Sequence, residues 1–404
     1  MSNIVVTQMG YYIVSAEYQD GKPLNFQCEL KENSEILGNI YIGKVITVVK
    51  NIQAAFVKIS EDTTCYYSLK DNPLPVFVKR FGKKELVQGD EILVQVSKEA
   101  LKTKDPVVTS NLNLPGRYMA LTTGNHKIGF SSKFSKQKKE ELREIFTPLQ
   151  SPDFGIVVRT NAQNATKEEL LWEYERLSLQ YRRLVSDAVH RTVYTKMYTA
   201  EAFYIQQLRN IYENTVEKIV TDIPEIYQEM NTYLTEFQPK DREKLTLYED
   251  ASLPLTAVYN LKRDLDRALQ KNVWLKSGAY LVIEPTEACT VIDVNTGKYD
   301  GKNKDREKTF LKINLEAAKE VARQLRLRNL SGIIIVDFID MSEEEHREAL
   351  LSQLQTFLRQ DPIPTNLVDM TGLQMVEITR KKVKKPLHEQ VVSKQLLMGE
   401  EEWN

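Results

Sequence analysis

The stretch TVIDVNTGKYDGKNKDREK, from Thr290 to Lys308, decides how the C-terminal part of this chain is organised. The apolar run AYLVIEPTEAC precedes it, and the sequence turns polar just after Asp293. A second apolar run, GIIIVDFIDM, starts at Gly332 and reaches an acid in the same way at Asp337. Each run predicts a strand that begins in the core and ends on an aspartate near solvent.

Between the two aspartates the sequence has the periodicity of a helix. The segment NLEAAKEVARQLRLRNL repeats apolar residues at helical spacing on one face, and Ser331 with Gly332 marks its end. A strand, a helix and a strand form a βαβ unit, whose strands are parallel and usually neighbours. We therefore expect Asp293 and Asp337 at the same carboxyl-terminal edge of a sheet, where open α/β sheets bind ligands.

Two carboxylates in that arrangement point to a metal ion. Neighbouring strands lie about 5 Å apart, and two unpartnered carboxylates so close repel each other until one takes up a proton. A divalent cation removes the conflict. Mg²⁺ accepts one or two carboxylates and keeps room for waters and a phosphate, and Mn²⁺ suits the same oxygen ligands. Asn295, two residues beyond Asp293, is placed to orient that carboxylate.

The chemistry predicted from this pair is metal-assisted hydrolysis of a phosphodiester. The alternative is that Asp293 and Asp337 only end strands and cap loops. Asp340 is interpreted as a cap of the helix expected to begin near Ser342, rather than as a metal ligand.

The composition limits the classes of protein. A chain of 404 residues predicts two to four domains, and a net charge of −1 excludes a uniformly basic surface but not local basic patches. Three cysteines without a CxxC pair and four histidines without HExxH argue against a disulfide framework and a histidine-built metal site. No apolar run is long enough to span a membrane, and the first residues lack the pattern of a signal peptide. A reducing cytoplasm fits these features.

The remaining segments predict a mixed α and β chain. Residues 1–33 predict short strands with a turn at QDGKP, and residues 36–99 predict a small antiparallel barrel of short alternating strands. Residues 114–160 combine strands with a lysine-rich helix. A long helix begins at a capping box of Thr166 and Glu169, and further helix is expected over 197–235. Residues 269–388 form the α/β segment described above.

Three features suggest contact with a nucleic acid. In the barrel, aromatic and lysine residues occur together, as on base-stacking platforms, although aromatic residues of strands are more often core. Arg159 and Thr160 follow an apolar strand, where they either bind a terminal phosphate or form a turn. The segment TRKKVKKPLH, which starts at Thr379, carries five cations in six positions and is either a phosphate-binding patch or a solubilising tail.

The motifs IDVNTG, NLEAAKEVARQLRLRNLSGIIIVDFIDM and EITRKKV together resemble the bacterial ribonuclease E/G family, endoribonucleases that cut single-stranded RNA. The resemblance continues through NIYIGKV, AAFV and VVRT, in the family's order, over nearly the whole chain. It implies a Mg²⁺-dependent endoribonuclease that prefers 5′-monophosphate ends and acts in ribosomal RNA maturation and messenger RNA decay in the cytoplasm.

The resemblance also implies a fold, namely an α+β multidomain chain. A ribonuclease H-like domain is expected from residues 1–34 and 208–268, with an S1-type OB-fold barrel inserted at 35–113. A 5′-sensor region is expected at 114–207, a deoxyribonuclease I-like catalytic domain at 269–388 and a C-terminal tail at 389–404. The split ribonuclease H-like domain comes from the resemblance alone, whereas the barrel and the α/β segment are also predicted from the residues.

Site residues carry over by position. The family's metal-binding and catalytic aspartates match Asp293 and Asp337, and the supporting amide matches Asn295. The family's sensor of the 5′ phosphate matches Arg159, Thr160 and Arg380. The family's RNA-binding residues in the barrel match Phe56, Tyr66 and Lys104. No CPxC motif follows Arg380, so no structural zinc is expected, and a homo-oligomer, in particular a dimer, is expected without a zinc link.

Two alternatives remain at this stage. The first is a non-catalytic RNA-binding protein that uses the barrel and the basic C-terminal segment. The pair of acids argues against it, because two converging carboxylates repel RNA unless a metal ion intervenes. The second is a metal-dependent nuclease that acts on DNA. An aromatic barrel suits flexible single strands better than duplexes, but it does not separate RNA from single-stranded DNA.

Overall fold

The computed structural model describes residues 2–31, 36–82, 85–100, 105–211, 215–297 and 306–391. It divides into two compact units, the first made of residues 1–33 and 214–404 and the second of residues 34–213. Both units mix helices and strands, as the sequence predicts. Among the residues described, no helix is both long and apolar enough to cross a membrane.

The chain begins with an antiparallel meander of three strands, β1 (Ser2–Met9), β2 (Tyr12–Gln19) and β3 (Lys22–Leu30). The predicted turn between β2 and β3 is confirmed, and its Asp20 and Gly21 both have positive φ. Glycine adopts that conformation without steric cost, which explains a tight hairpin at this point.

The second unit begins with a closed barrel. Its strands are β4 (Ile40–Val49), β5 (Ala54–Lys58), β6 (Thr64–Ser68), β7 (Val76–Lys79), β8 (Glu91–Lys98) and β9 (Val107–Thr109). Five of them close the ring in the order β4-β5-β6-β9-β8, because β8 also pairs with β4. Val57, Tyr67 and Val94 are fully buried inside it. The predicted barrel is confirmed. Its last strand, β9, lies beyond residues 36–99, the range predicted from the strand pattern, but within residues 35–113, the range implied by the resemblance, and it pairs with β6 in parallel.

The rest of the second unit packs a small sheet against a long helix. Its elements are β10 (Asn113–Pro115), β11 (Met119–Thr122), β12 (Ile128–Phe130), α1 (Lys136–Phe146), β13 (Gly155–Val158), α2 (Lys167–Ala188), β14 (Lys196–Tyr198) and α3 (Phe203–Arg209). The sheet has the order β10-β11-β13-β12. The predicted capping box starts α2, since the backbone N–H of Thr166 donates to Glu169 Oε2 at 2.9 Å and the N–H of Glu169 donates to Thr166 Oγ1 at 3.2 Å.

The chain then returns to the first unit. The next elements are β15 (Val216–Thr221), α4 (Pro224–Phe237), β16 (Leu245–Leu247), α5 (Leu255–Val258) and α6 (Leu261–Ala268). β15 pairs in parallel with both β1 and β16, which completes a sheet of order β16-β15-β1-β2-β3. The prediction of further helix over 197–235 is confirmed for α3 and α4. It is wrong for VEKIVT, which forms the strand β15 and pairs with the distant β1.

The last segment forms the α/β part of the first unit. Its elements are β17 (Asn272–Trp274), β18 (Tyr280–Pro285), β19 (Cys289–Asn295), α7 (Arg306–Leu327), β20 (Gly332–Asp337), α8 (Glu344–Leu358), β21 (Thr365–Met370), β22 (Met375–Arg380) and α9 (Leu387–Gln390). They build a six-stranded sheet of order β17-β18-β19-β20-β22-β21. The inward residues Ile292, Ile334 and Ile378 pack with Val321 of α7 and Leu350 of α8. The predicted βαβ unit is confirmed, since β19 and β20 are parallel neighbours.

One stability test follows from the tight packing of the barrel. A Cβ atom added at Gly43 would lie 2.5 Å from Val57 Cγ1 and 2.9 Å from Val94 Cγ2. We expect Gly43→Ala to lower the free energy of unfolding by about 1–3 kcal/mol, because overpacked cores must distort. Urea unfolding of the full chain measures this. The control is Gly372→Ala, where the added Cβ meets nothing within 4 Å, and equal midpoints for the two variants would contradict the prediction.

Candidate active site

The parallel pairing of β19 and β20 brings the two predicted acids together. Asp293 and Asp337 are register partners in this ladder, so neighbouring strands place them about 5 Å apart along the sheet. Ile292 and Val336, which precede them, are fully buried in the core beneath the helices. Successive side chains alternate between faces, and both carboxylates therefore lie on the opposite, open face. β19 continues two residues past Asp293, further than the sequence suggested.

Asn295 contacts the first acid directly. Its Nδ2 donates a hydrogen bond to Asp293 Oδ2 at 2.5 Å. Both residues lie on the same face because they are two positions apart in one strand. The bond fixes the orientation of the Asp293 carboxylate, which is the geometry that a supporting amide needs.

The electrostatics of the site favour a bound cation. Partial burial and then the negative charges of Asp293 and Asp340 hold the pKa of Asp337 above its usual range. A divalent ion would relieve this repulsion, and carboxylate oxygens are the donors that Mg²⁺ and Mn²⁺ prefer. Among the described residues, no group of three or more His, Cys, Asp and Glu side chains could hold a metal. Two carboxylates suit an ion that keeps several of its own waters, as Mg²⁺ does.

The prediction that Asp340 caps the following helix is wrong. The helix α8 begins after Glu343, and its N-cap makes no side-chain hydrogen bond. Asp340 is instead exposed, and its charge acts on Asp337.

A buried amide holds the segment between Asp337 and Asp340. Asn314 of α7 is fully buried, its Nδ2 donates to the backbone oxygen of Ile339 at 2.8 Å, and its Oδ1 accepts the N–H of Ile339 at 3.1 Å. The amide therefore clamps the chain just after the second acid. The sequence interpretation missed this residue, although an asparagine on the apolar side of a helix is a signal that can be found.

The barrel presents an aromatic pair at its surface. Phe56 and Tyr66 are cross-strand partners with ring centroids 6.4 Å apart at 83°, and both are partly exposed. Lys44 and Lys58 are also cross-strand partners, and Lys58 is two residues from Phe56 on β5, so it shares the face of the ring. Like charges directly opposite each other are unfavourable in a sheet unless an anion lies near them. Lys104, the third predicted RNA-binding residue, lies outside the described residues.

Arg159 and Thr160 lie at the end of β13, each in a hydrogen-bond network. The guanidinium of Arg159 donates from Nη1 to the Gly116 oxygen at 2.7 Å and from Nη2 to Asn210 Oδ1 at 2.5 Å. The Thr160 hydroxyl shares a hydrogen bond of 2.9 Å with the Ser131 hydroxyl. Both side chains are partly exposed and held in place.

A buried carboxylate fixes the turn that holds Arg159. Glu173 of α2 is 3% exposed and accepts the backbone N–H groups of residues 117, 118 and 119 at 2.8–2.9 Å. Burial raises its pKa, and the three N–H groups act in the opposite direction. A Cβ at Gly116 would lie 2.4 Å from Glu173 Oε1, so only glycine fits there. The sequence interpretation missed Glu173, whose signal is an acid between Leu170 and Leu177 on the buried side of the helix.

Arg380 lies in the interior of the first unit. It is 4% exposed, its Nε donates to Asp361 Oδ2 at 2.8 Å, and its Nη1 donates to Asn329 Oδ1 at 2.8 Å and to the Leu330 oxygen at 3.0 Å. The predicted contact with a 5′ phosphate would require these bonds to be exchanged, so the sensor role of Arg380 stays a prediction. The cations that follow it, Lys381 and Lys382, are exposed.

The buried ion pair between Arg380 and Asp361 allows a test of the structural role of Arg380. Arg380→Ala leaves the Asp361 carboxylate, 5% exposed, without this partner. We expect a loss of about 3–5 kcal/mol in the free energy of unfolding, since breaking a buried ion pair strands a charge. Urea unfolding checks this against Lys381→Ala, which removes an exposed neighbouring cation. If the two variants unfold at the same midpoint, the pair does not support the fold.

Comparison with known proteins agrees over most of the chain. The model of the ribonuclease E/G family matches residues 113–383. Ribonuclease G of Haemophilus influenzae is 35% identical over 363 residues, which cover 87% of this chain and 74% of that protein. Ribonuclease G of Escherichia coli K12 is 31% identical over 92% of this chain and 78% of its own length. Ribonuclease E of Synechocystis sp. PCC 6803 is 32% identical over 88% of this chain and 54% of its own length.

Proposed function

We propose, because this chain belongs to the ribonuclease E/G family, that it is a Mg²⁺-dependent endoribonuclease that cuts single-stranded RNA and prefers a 5′-monophosphate end. Membership of the family confirms the resemblance found in the sequence. The observation that carries the proposal is the register pairing of Asp293 with Asp337 on the open face of the sheet. Mn²⁺ suits the same ligands and is the alternative ion.

The two acids and the residues around them have separate roles in the proposed site. Asp293 and Asp337 would hold the ion, and Asn295 keeps the Asp293 carboxylate oriented through its hydrogen bond. Asn314 fixes the backbone after Asp337, so the second carboxylate keeps its position relative to the first. When bound, the ion would polarise the phosphoryl group and lower the pKa of a water ligand. A scissile phosphate that approached without a cation would meet two negative charges, which explains the metal dependence that we propose.

The second unit supplies binding groups for RNA in this proposal. The rings of Phe56 and Tyr66 are suited to stack unpaired bases, and Lys44 and Lys58 are suited to the phosphates between them. Arg159 and Thr160 would bind the 5′ phosphate through a guanidinium and a hydroxyl. A triphosphate is bulkier and carries more charge than a monophosphate, so a small pocket built on these two residues would favour the monophosphate.

The cellular part of the proposal follows the family. We place the activity in maturation of ribosomal RNA precursors and in messenger RNA decay, in the cytoplasm. We also propose that the protein is a homo-oligomer, in particular a dimer. A non-catalytic RNA-binding protein is the second candidate, supported by the aromatic pair of the barrel, and the paired acids are the observation against it.

Replacement of either acid tests the catalytic proposal. We expect Asp293→Asn and Asp337→Asn each to lower the cleavage rate by more than about 100-fold, since even groups outside the ligand shell are worth 10–100-fold in metal sites. RNA binding should persist because the barrel is untouched. Single-turnover cleavage of a 5′-monophosphorylated single-stranded RNA, with and without Mg²⁺, measures the rate, and an electrophoretic shift measures binding.

The control for this test is Asp340→Asn, which removes a nearby charge without removing either proposed ligand. It should retain most of the activity. Normal cutting by Asp337→Asn in Mg²⁺ would refute the two-aspartate site, and binding without cutting by the wild-type protein in both Mg²⁺ and Mn²⁺ would favour the non-catalytic candidate.

A second variant tests recognition of the 5′ end. Arg159→Ala should lower the ratio of cleavage rates between 5′-monophosphate and 5′-hydroxyl RNA by about 10- to 100-fold, the range expected for hydrogen bonds to a charged group. Cleavage of the 5′-hydroxyl RNA should change little. Arg143→Ala, which removes an exposed arginine paired with Glu140 on α1, is the matched control. An unchanged ratio in Arg159→Ala would remove the sensor assignment and leave the catalytic site intact.

A further inference from the structure

An exposed tryptophan lies on the same face of the six-stranded sheet as the two acids. Trp274 of β17 is 68% exposed, while Val273 and Leu275 beside it pack into the core beneath the helices. Side chains alternate along a strand, so the indole projects from the open face. The proposed RNA-binding residues of the barrel belong to the other unit, and nothing in the proposed function uses Trp274.

The strand register aligns this indole with Asn295, the amide that positions Asp293. Trp274 is the register partner of Tyr280 on β18, and Tyr280 is the register partner of Asn295 on β19. Asn295 donates a hydrogen bond to Asp293. Directly opposed residues of antiparallel strands share a face. The three side chains therefore form one row, in which Tyr280 is about 5 Å and Trp274 about 10 Å from Asn295 along the sheet.

The two rings contact each other. Their centroids are 4.9 Å apart and the planes are inclined by 46°. Tyr280 is only partly exposed, so it supports the indole from the side nearer the acids and leaves the indole at the surface. The same open face carries exposed aliphatic side chains from the two central strands, Val291 at 36% and Ile333 at 52% exposed. These two residues lie on the side of the acids away from Asn295, so only the two rings favour a ligand here. An exposed aromatic ring beside a phosphate site suits an unpaired nucleobase.

We propose that Trp274, supported by Tyr280, is a stacking subsite for a nucleobase of the RNA that flanks the bond cut at Asp293 and Asp337. The inference rests on the proposed function and adds a contact at the cleavage site to those of the barrel. The subsite accepts any of the four bases, because each has a π-face and no hydrogen-bonding group of the base is read by a ring. A nucleobase is favoured over a second copy of the chain as the occupant, because the aromatic row is aligned with Asn295, the amide that positions Asp293.

Single abasic substitutions in the RNA locate such a subsite. The probe is a set of 5′-monophosphorylated single-stranded RNAs of one sequence with one cleavage site, each lacking one base near the cut. For the wild-type protein we expect one position to raise KM by about tenfold, within the range measured for loss of a stacked base. For Trp274→Ala the intact RNA should show that higher KM, and the abasic position should have no further effect.

Two variants separate stacking from a general effect of mutation. Trp274→Phe keeps a ring and should restore most of the sensitivity to the abasic position. Trp172→Ala removes a tryptophan of α2 that is 47% exposed and should behave like the wild-type protein. If Trp274→Ala keeps the wild-type KM and the wild-type response to every abasic RNA, the inference is overturned.

A second measurement needs no cleavage, so it tests base stacking on Trp274 even if the proposed function fails. The chain has three tryptophans, and the substitutions Trp172→Phe and Trp403→Phe leave Trp274 as the only one. In an Asp337→Asn background, the intact RNA with Mg²⁺ should quench the fluorescence of Trp274. The RNA that is abasic at the sensitive position should quench it less. If the wild-type protein does not cut, the RNAs abasic at each position are compared in turn.

The remaining outcomes are also decisive. Fluorescence that no RNA in the set changes, although the RNA is bound, would overturn the subsite. A lower mass of Trp274→Ala than of the wild-type protein by sedimentation, together with unchanged fluorescence, would assign the open face to contact between copies of the chain. Absence of cutting by the wild-type protein would instead refute the proposed function, and the fluorescence result would then stand alone.

Discussion

The register of the parallel ladder between β19 and β20 is the constraint on which the candidate site depends. Side chains alternate with a period of two residues, so a slip by one position would turn Asp337 towards the helices and expose Val336 in its place. Ile334 and Val336 of β20 are fully buried and oppose such a slip, because it would expose both to water. The amide of Asn314 adds a directional restraint at the end of β20. Packing on one face of the sheet thereby sets the chemistry on the other.

Buried polar groups repeat this role elsewhere in the chain. Glu173 accepts hydrogen bonds from three consecutive backbone N–H groups, those of residues 117–119. The turn ordered in this way begins at Gly116, whose carbonyl oxygen accepts a hydrogen bond from Arg159. Arg380 joins Asp361 to the end of the helix that precedes β20. Such groups cost free energy when they lack partners and specify one geometry when they have them. Asp293, Asp337, Arg159 and Thr160 are at least partly exposed, and the buried polar side chains hold backbone segments close to them.

The sequence predicted features whose partners are close in the chain. Two apolar runs and one helical pattern were sufficient for the βαβ unit, and the capping box of α2 could be read from two residues. The strand VEKIVT was missed because it pairs with β1, and the register partners Ser2 and Val216 are 214 positions apart in sequence. No local sequence pattern indicates such a pairing. The burial of Arg380 was missed because the sequence of a run of cations does not show whether its first residue is exposed to solvent or buried in an ion pair. Trp274 could not be assigned to the face of the acids, since that requires the register of three strands at once.

The pairing of β1 with β15 also matters for the order in which the chain folds. During synthesis β1 emerges 214 residues before its parallel neighbour, which at roughly 5–20 residues per second is a delay of about 10–40 s. Throughout this time the edge of β1 has unpaired backbone groups, which makes it a template for pairing with other chains. The barrel and its attached sheet lie entirely within residues 34–213, so they are complete before β15 appears. The inserted unit is thus expected to fold first, while the opening meander waits as a nascent segment that ribosome-associated chaperones would need to shield.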